Sequence, residues 1–438
     1  MNTLDALYAI GAVALAPLWL RKARGGWPER LGRTPALPRA DPARPRVLLH
    51  GVSVGETAAL RELVPMLAHS AEVVVSATTD TGLGRARQLH GGAASVVRYP
   101  LDFSGCVRRF LDAVRPSAVA LAELEVWPNF IAECHRRAIP VAVINGRLSA
   151  RSFGGYRRLR AVLGPTFARL ARVGAQDADY ARRFVAMGTP EGRVEVTGSM
   201  KWDAAVIADD APGSRDLAQR LGIDAARPLV VGGSTGPGEE AALHAACARV
   251  GPGVQLLCAP RKPERFARAA AALPGCVRRS QRPAGGQAAG APSPTGRYLL
   301  DTIGELRAAY ALADAVFVGR SLTPLGGSDP IEPVGLGRAT LIGPHVDNFA
   351  SVVGELARAG GLRVVSRDGL APALAQLLAD PAARGAMAKA GRGAICAQRG
   401  ATERHAAMIL ALLKPPPPSA GALPVAAPPT EPPALGQH

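Results

Sequence analysis

The stretch that decides the fold reads Arg46-Val47-Leu48-Leu49-His50-Gly51-Val52-Ser53-Val54-Gly55-Glu56. Its first five residues are mostly apolar, which is typical of a strand buried in a parallel sheet. Residues 57–63 then begin an amphipathic helix, and Gly51 and Gly55 permit the sharp turn between the two. Ligands of open α/β sheets bind at the carboxyl edge of the strands. Glu56 is therefore predicted at that edge, either as a functional carboxylate or as a charge that complements the helix dipole.

A second acidic turn follows another buried strand. Residues 119–122 are apolar and run directly into Glu123-Leu124-Glu125-Val126-Trp127-Pro128-Asn129. If both strands belong to one parallel sheet, both acidic turns leave the sheet at the same edge. Alternation of side chains gives Glu123 and Glu125 a common orientation. Glu56, Glu123 and Glu125 are thus candidate catalytic residues. In active sites with two carboxylates, one often takes the proton while the other organises the pocket.

Apolar strands alternate with helical patterns along most of the chain, which predicts an α/β fold with parallel sheets. In the first half, strands are predicted at residues 46–50, 72–77, 95–99, 117–122, 140–145, 172–175 and 193–197. The pattern restarts after a connection at 199–226, with strands at 228–233, 254–258, 298–300, 315–319 and 339–343. The chain is therefore expected to form two α/β domains.

The composition favours an anionic partner that is not a nucleic acid. The 438 residues include 52 Lys and Arg against 35 Asp and Glu, for a formal net charge of +17. Aromatic residues make up only 4% of the chain, and no nucleic-acid-binding module is recognisable. An anionic membrane surface, or a phosphorylated and carboxylated substrate, fits this charge better. The six cysteines lack metal-binding spacing and are expected to be buried free thiols in a reducing compartment.

The N-terminal region carries a candidate membrane anchor. Residues 7–20 are uncharged and mostly apolar, and the basic cluster 21–24 follows at once. Asp5 precedes the run, whereas a signal peptide has positive charge there. The run is shorter than the roughly 20 residues that span a bilayer. We therefore expect residues 1–24 to form a short-spanning or monotopic anchor that holds the body on the cytoplasmic face of the cell inner membrane.

Two further segments have the composition of irregular structure. Residues 280–297 are rich in Gly, Pro, Ser and Gln, which predicts a flexible surface insertion. Residues 414–438 contain four consecutive prolines and more beyond, and they are expected to form a disordered tail.

A set of motifs in fixed order resembles the 3-deoxy-D-manno-octulosonic acid (Kdo) transferases of lipopolysaccharide synthesis. No single motif is decisive, but together the motifs keep the family's order from near the N-terminus to about residue 350. The motifs are residues 50–56, 123–129, 145–152 with Tyr156, 198–203, 260–266, 301–306, 317–322, 330–333 and 343–345.

The resemblance implies a membrane-associated glycosyltransferase of the GT-B class, in which two Rossmann-like domains face each other across a cleft. Residues 25–205 would be the acceptor domain and residues 206–413 the domain that binds CMP-Kdo. The acceptor would be a lipid A precursor (lipid IVA), and Glu56 would be the general base of an inverting transfer. Glu123 or Glu125 would support the acceptor pocket or orient Glu56. Neither a cofactor nor a metal is expected.

Substrate contacts are predicted on both halves. Backbone N–H groups of the glycine loop at 232–240 can hold a phosphate at a helix N-terminus. By resemblance, the loop after the 315–319 strand binds the nucleotide, with Glu332 accepting from ribose hydroxyls and Arg261 facing cytidine monophosphate. The basic residues 147, 151 and 201 are candidate partners for the Kdo carboxylate or lipid phosphates, or else form surface salt bridges. The candidate binding residues are Ser53, Arg147, Arg151, Lys201, Ser234, Thr235, Pro260, Arg261, Gly319, Ser321, Gly327, Asp329 and Glu332.

The chain departs from the family's pattern on the donor side. Gly236 and Ser328 stand where relatives usually have histidines, and Arg320 stands where a small residue is common. Arg320 is a candidate replacement for the missing groups. Two alternatives remain open at this stage. One is another membrane-associated GT-B transferase that uses a UDP-sugar with an undecaprenyl or lipid A acceptor, and the other is a catalytically inactive scaffold of the same fold.

Overall fold

The structure is a computed structural model that describes residues 4–6, 8–9, 25–282 and 293–413. The chain divides into two compact units. The first unit comprises residues Met1–Glu195 and Arg404–His438, and the second comprises Val196–Glu403. Each unit is built on its own seven-stranded sheet. The predicted α/β class is confirmed.

The first sheet has the strand order β3-β2-β1-β4-β5-β6-β7. β1 and β4 are parallel neighbours at its centre, with His50 paired to Leu121. The loops that follow these two strands therefore leave the same edge side by side, as the sequence predicts. The strands are β1 Arg46–His50, β2 Glu72–Ala77, β3 Ser95–Arg98, β4 Ala118–Ala122, β5 Val141–Gly146, β6 Arg172–Ala175 and β7 Val194–Val196.

Helices cover the first sheet and bury its strands. β1, β4 and β5 are buried at every position, as expected for parallel strands that are covered on both faces. The helices are Trp27–Arg30, Val54–Ala59, Leu63–Ala68, Asp80–His90, Ser104–Val114, Pro128–Arg136, Ala150–Arg158, Arg160–Ala168 and Ala178–Met187, with a 3₁₀ helix at Glu191–Arg193. Residues 4–6 and 8–9 are also helical.

The second sheet has the order β10-β11-β9-β8-β12-β13-β14. The sequence did not predict β10 and β14, because a strand of two residues is too short to show an alternation of apolar and polar residues. The five predicted strands match the others. The strands are β8 Leu229–Thr235, β9 Gln255–Pro260, β10 Val277–Arg278, β11 Arg297–Leu299, β12 Ala315–Val318, β13 Ala339–Ile342 and β14 Arg363–Val364.

Helices also pack on the second sheet, around a core that includes Val231, Val316 and Ile342. The helices are Ser214–Leu221, Glu239–Val250, Phe266–Ala271, Leu306–Leu312, Ile331–Gly335, Ala350–Arg358, Leu370–Ala379 and Pro381–Gln398. The last helix, Ala401–Leu412, begins in the second unit and continues in the first. Two 3₁₀ helices lie at Pro263–Arg265 and Arg279–Gln281.

The division between the units differs from the predicted boundary between residues 205 and 206. The chain enters the second unit at Val196, because Trp202 is buried in the core of that unit. Asp203 accepts a hydrogen bond from the N–H of Thr402 at 2.6 Å. Beyond this point the last helix belongs to the first unit, where buried His405 Nε2 accepts from the N–H of Asn145 at 3.1 Å.

Most of the predicted anchor and the whole C-terminal tail lie outside the described residues. Within the described ranges, no helix has the length and apolarity needed to span a membrane. Residues 283–292 of the predicted insertion also lie outside the described part. Both flanks of that insertion are ordered, since Ser280 N donates to Asp301 Oδ1 at 2.8 Å and Arg297 begins β11.

The cysteines follow the prediction only in part. All six are free, and Cys106, Cys134, Cys247 and Cys258 are buried. Cys276 is half-buried and Cys396 is exposed, because Cys396 lies on the outer side of the helix Pro381–Gln398. In the described part of the chain, no group of His, Cys, Asp or Glu side chains has a metal-binding arrangement.

Candidate active site

Glu56 lies in the first turn of the helix Val54–Ala59, at the carboxyl edge of the first sheet. Ser53 caps this helix, because its Oγ accepts from the N–H of Glu56 at 3.3 Å. In return, Ser53 Oγ donates to Glu56 Oε1 at 2.7 Å, and Val52 N donates to Oε2 at 2.7 Å. This reciprocal pattern is a variant of the capping box. Glu56 therefore does serve the helix start.

The capping contacts leave Glu56 capacity for a further hydrogen bond. A carboxylate has about four acceptor positions, and the two contacts above use one on each oxygen. Glu56 is half-buried, so its remaining positions are accessible from the sheet edge. Gly51 is needed here, because a Cβ at that position would lie 3.1 Å from the Cβ of Glu56. The short turn thus fixes Glu56 close to β1.

The second acidic loop is held in an unusual backbone conformation. Glu123 has a φ of +57°, in the left-handed region that few residues other than glycine adopt. Its N–H donates to the carbonyl of Ile144 at 3.0 Å, and its carbonyl accepts from the N–H of Arg147 at 3.3 Å. The loop after β4 is therefore tied to the end of β5, which brings predicted residues Glu123 and Arg147 together.

Glu125 is a predicted carboxyl group of this edge whose pKa is clearly raised. Burial, with smaller contributions from the charges of Glu56 and Glu123, raises the pKa of Glu125 to about 7. A hydrogen bond from Trp127 Nε1 to Glu125 Oε2, at 2.8 Å, opposes the shift. The electrostatic coupling means that the three predicted carboxylates converge. A carboxyl group whose pKa lies near 7 can exchange protons at neutral pH.

Two aromatic residues of this edge were not assigned roles from the sequence. Trp127 is partly exposed beside Glu125. Burial and the charge of Glu125 raise the pKa of the half-buried Tyr156. Tyr156 occurs in the family motif at 145–156, but a tyrosine on an amphipathic helix is ordinarily a packing residue. Only its position beside Glu125 places it at the site.

His50 is excluded as a proton carrier. It is fully buried at the end of β1 and stacks on Tyr99, with 3.7 Å between ring centroids and 17° between planes. Burial lowers the pKa of His50 to about 3, so the ring is neutral at physiological pH. Its Nδ1 lies 3.0 Å from Ser76 Oγ. His50 and Tyr99 therefore form a buried, stacked pair next to the acidic edge.

The N-terminal helical residues dock at the same edge of the first sheet. Asp5 Oδ1 accepts from Ser104 N at 2.8 Å and from Asn129 Nδ2 at 3.1 Å. Asp102 accepts from the N–H groups of Asn129, at 3.0 Å, and Phe130, at 2.8 Å. Burial raises the pKa of Asp102 to about 7, with the Asp5 charge adding to the shift. From sequence, Asp5 had been read only as a charge before the apolar run.

Ser53, Arg147 and Arg151 are the predicted substrate contacts of the first unit. Ser53 caps the Glu56 helix, and Arg147 follows β5 beside the Glu123 loop. Arg151 is exposed in the first turn of the helix Ala150–Arg158. Ser149 caps that helix by accepting from the N–H of Ser152 at 3.2 Å. All three predicted residues thus lie at or beside the carboxyl edge of the sheet.

In the second unit, the glycine loop after β8 is organised by two buried glutamates. Glu240 is 1% exposed, accepts from Thr235 Oγ1 at 2.8 Å and pairs with Arg265 at 2.9 Å. The Thr235 side chain is completely buried. The Thr235 hydroxyl is therefore committed to Glu240, and a role of Thr235 in donor binding stays a prediction.

Glu239 receives four backbone hydrogen bonds. Its Oε2 accepts from Gly236 N at 2.7 Å and from Arg320 N at 2.6 Å. Its Oε1 accepts from Ser321 N at 2.8 Å and from Leu322 N at 2.9 Å. The N–H of Gly236 therefore points at Glu239, and phosphate binding by the other N–H groups of the 232–240 loop stays a prediction. Gly319 leaves room for this carboxylate, since a Cβ there would lie 2.8 Å from Oε2.

Ser321 is also committed to the protein. Its side chain is completely buried, with Oγ donating to the carbonyl of Val318 at 2.6 Å and accepting from Gly343 N at 2.8 Å. These bonds join the loop after β12 to the end of β13. The Ser321 hydroxyl therefore organises the loop itself, and a role of Ser321 in donor binding stays a prediction.

The remaining predicted residues of the second unit surround the same sheet edge. Ser234 ends β8 with a φ of +53°, and Gly327 has a φ of +75°. Pro260 is the last residue of β9, and the N–H of Arg261 donates to the carbonyl of Thr235 at 3.1 Å. The side chain of Arg261 is exposed. It is positioned to meet a ligand at this edge.

The charged groups at this edge include Arg307, which was not predicted from the sequence. Glu332 reaches solvent, yet the surrounding protein desolvates it enough to raise its pKa, and the nearby Arg307 opposes this shift. Asp329 Oδ1 accepts from Ile331 N at 2.9 Å and so starts the next helix. Lys201 Nζ lies 4.8 Å from the ring centroid of Phe349. Arg307 lies in a helix without a recognisable motif, so only its nearness to Glu332 identifies it.

Comparisons with known proteins agree with this arrangement. A family model described as "3-Deoxy-D-manno-octulosonic-acid transferase (kdotransferase)" matches residues 25–204. A 3-deoxy-D-manno-octulosonic acid transferase from Bordetella pertussis is 37% identical over 426 residues, covering 91% of this chain and 97% of that protein. One from Haemophilus influenzae is 31% identical over 382 residues, covering 84% of this chain and 86% of that protein.

Solved structures with low sequence identity share the fold. A glycosyltransferase from Rickettsia africae ESF-5 has a TM-score of 0.61 and 10% identity, covering 85% of this chain and 99% of that chain. Anabaena Alr3699/HepE, in complex with UDP-glucose, has a TM-score of 0.57 and 14% identity, covering 84% and 100%. At these identities the likeness concerns the fold alone. The relatives show more: the chain belongs to the 3-deoxy-D-manno-octulosonic acid transferase family and is a glycosyltransferase.

Proposed function

We propose that this Kdo transferase moves Kdo from CMP-Kdo to a lipid A precursor, lipid IVA, with inversion of the anomeric centre. Its two Rossmann-like units would work in the GT-B arrangement. The observation that carries the proposal is the convergence of Glu56 and Glu125 at the carboxyl edge of the first sheet. Neither residue pairs with a cation among the described ion pairs, so this edge offers a proton acceptor.

In the proposed mechanism, Glu56 is the general base. It would remove the proton from the acceptor hydroxyl while that oxygen attacks the anomeric carbon of Kdo and cytidine monophosphate leaves. Ser53 and Val52 N orient the carboxylate, so that proton transfer needs little reorganisation. A single base without a covalent intermediate gives direct displacement and therefore inversion. Glu125, whose charge interacts with that of Glu56, would orient the base or support the acceptor pocket.

On the donor side, side-chain cations would bind the anionic groups of CMP-Kdo. Arg261 is exposed at the carboxyl edge of the second sheet and makes no side-chain hydrogen bond or ion pair among the described contacts. An arginine can bind phosphate or carboxylate in a bidentate manner. Lys201 lies near Asp329 and offers a second cation. Glu332 would accept hydrogen bonds from the ribose hydroxyls.

On the acceptor side, the helix Ala150–Arg158 and the turn after it support binding to anionic lipid. This helix buries none of its residues. Arg151, Arg157 and Arg158 are exposed, and Leu159 and Val162 are each 58% exposed. Basic residues beside exposed apolar side chains suit the interface of an anionic membrane. We include in the proposal the anchor at residues 1–24 and a location on the cytoplasmic face of the inner membrane.

The test is transfer by the purified protein in detergent, with CMP-Kdo and a tetraacylated lipid A precursor. We expect a product heavier than the acceptor by one or more Kdo residues, and loss of that product in Glu56→Gln. Competition between CMP and UDP for the free protein decides the donor class. Preference for UDP would indicate a UDP-sugar transferase, and no transfer with either donor would indicate an inactive scaffold.

A further inference from the structure

The carboxylate of Glu239 joins two loops that come from different strands. Gly236 belongs to the loop after β8, whereas Arg320, Ser321 and Leu322 belong to the loop after β12. The N–H groups of all four residues donate to Glu239 at 2.6 to 2.9 Å. Glu239 is 0% exposed. Each of its two oxygens accepts two of these four hydrogen bonds.

Four converging N–H groups form an anion-binding cluster of the kind that holds phosphate in other proteins. Here a side chain of the protein itself occupies the cluster. A buried carboxylate is stable only when it is fully hydrogen-bonded, and these four donors meet that requirement without a cation. The converse also holds, because removal of the carboxylate would leave four buried or partly buried N–H groups without an acceptor.

We propose that Glu239 is a positioning residue for donor binding. Its carboxylate holds residues 320–322 against the glycine loop in the shape that the nucleotide requires. Because it also fills the N–H cluster, the donor's phosphate is directed to side-chain cations such as Arg261. This inference rests on the proposed use of CMP-Kdo. It assigns Glu239 no contact with the substrate and no part in proton transfer.

Glu240 provides a matched control for a role that is merely structural. It is the next residue, is equally buried at 1% exposure and is also hydrogen-bonded on both oxygens. Its partners, however, are Thr235 and Arg265, and none of its described hydrogen bonds reaches residues 320–322. Loss of Glu240 should therefore reduce stability without loosening the loop after β12.

The experiment combines amide hydrogen exchange with CMP titration of the full chain in detergent. In wild type we expect slow exchange at Arg320, Ser321 and Leu322 compared with the exposed turn at Ile303, which is 77% exposed. CMP should slow this exchange further. In Glu239→Gln, where an NH₂ group replaces one acceptor oxygen, exchange at 320–322 should rise and CMP affinity should fall on the order of 10-fold. Glu240→Gln should leave both quantities close to wild type.

Chemical rescue distinguishes a role of Glu239 in positioning the loop at 320–322 from a role in folding. Glu239→Ala leaves a carboxylate-sized space lined by the four N–H groups, and formate should restore much of its CMP affinity when chloride at equal ionic strength does not. Rapid exchange at 320–322 in wild type, or no effect of CMP on it, would overturn the inference even if neither variant folds. Unchanged CMP affinity in Glu239→Gln would also overturn it. Failure of wild type to bind CMP would instead contradict the proposed function.

Discussion

Glu56 and Glu239 occupy corresponding positions in the two sheets. β1 lies between β2 and β4, and β8 lies between β9 and β12, so the first strand of each sheet lies inside the sheet beside the second strand. Each glutamate lies in the first turn of the helix that follows the central strand. Yet Glu56 is half-buried with acceptor positions to spare, whereas Glu239 is 0% exposed and accepts four hydrogen bonds.

The neighbouring loop accounts for this difference. After β4 the chain presents Glu125, whose charge repels those of Glu56 and Glu123. After β12 it presents the backbone N–H groups of residues 320–322, which bind the carboxylate of Glu239. The same residue at the same topological position thus remains available for chemistry in one unit and becomes an internal support in the other. The adjacent strand's loop, rather than the helix start, determines the role.

The variant with the largest expected effect is Glu56→Gln. Glutamine keeps the shape of the side chain and one acceptor oxygen, but it takes up no proton at neutral pH. We expect Kdo transfer to fall by roughly 10²–10⁴-fold, with CMP affinity unchanged. A steady-state assay in detergent, together with a CMP titration, measures both quantities.

Ser53→Ala is the matched control for the capping role of Glu56. It removes the reciprocal hydrogen bonds and should cost about 0.5–2 kcal/mol of stability, with a smaller loss of transfer than Glu56→Gln. If Glu56→Gln retained transfer within a few-fold of wild type, Glu56 would resemble Glu239 as a support. The proposed base would then move to Glu125 or Glu123.

Arg261→Ala tests the second unit's side of the comparison. If Glu239 fills the N–H cluster, the donor depends on side-chain cations, and loss of one should be costly. A charge-assisted hydrogen bond contributes about 1.5–3 kcal/mol, so CMP affinity should fall by roughly 10- to 100-fold. The affinity for the lipid acceptor should not change. Lys262→Ala, at the exposed neighbouring position, is the control, and equal losses in the two variants would argue for a general charge effect.

The sequence was sufficient to predict the parts of this comparison that depend on single strands. Apolar runs such as residues 46–50 identify β1, because a parallel strand is buried on both faces. Parallel neighbours then bring Glu56 and Glu125 to one edge. The acidic half of the site could therefore be predicted before any contact was known.

The other half depends on contacts between distant residues, which no local pattern encodes. The Gly-Glu-Glu run at 238–240 reads as an ordinary helix start, and its burial by the loop at 320–322 depends on β8 and β12 being neighbours. For the same reason the buried hydroxyls of Thr235 and Ser321 looked available for a ligand. Asp5 is separated by 124 residues from its partner Asn129.

A pH profile of transfer tests the coupling between Glu56 and Glu125. The pKa of Glu125 is about 7, so Glu125 gains its negative charge as pH rises through neutrality. We expect the charged form of Glu125 to orient Glu56 towards the acceptor hydroxyl, so kcat/KM should rise over the same range. Glu125→Gln should flatten this rise while retaining measurable transfer. A variant profile that is identical to the wild-type profile would show that Glu125 does not influence the base.

The smallest expected effect concerns stability, and its sign follows from the direction of the same shift. The pKa of Glu125 is raised from its ordinary 4.5 to about 7 in the folded protein. Between these values the folded state binds more protons than the unfolded state, so the free energy of unfolding falls as pH rises. One group contributes at most about 1.4 kcal/mol per pH unit, and solvent contact at half-buried Glu125 reduces this.

Denaturant titrations of wild type and Glu125→Gln at pH 5, 6 and 7 would measure the slope. We expect the stability difference between the two proteins to shift in favour of the variant as pH increases, because glutamine carries no charge to desolvate beside Glu56. Asp102, with a pKa of about 7, titrates over the same range but is present in both proteins and cancels from the difference. A difference that does not change with pH would mean that Glu125 is solvated as an ordinary surface carboxylate, and the acidic edge would then lack the coupling that distinguishes it from the Glu239 loop.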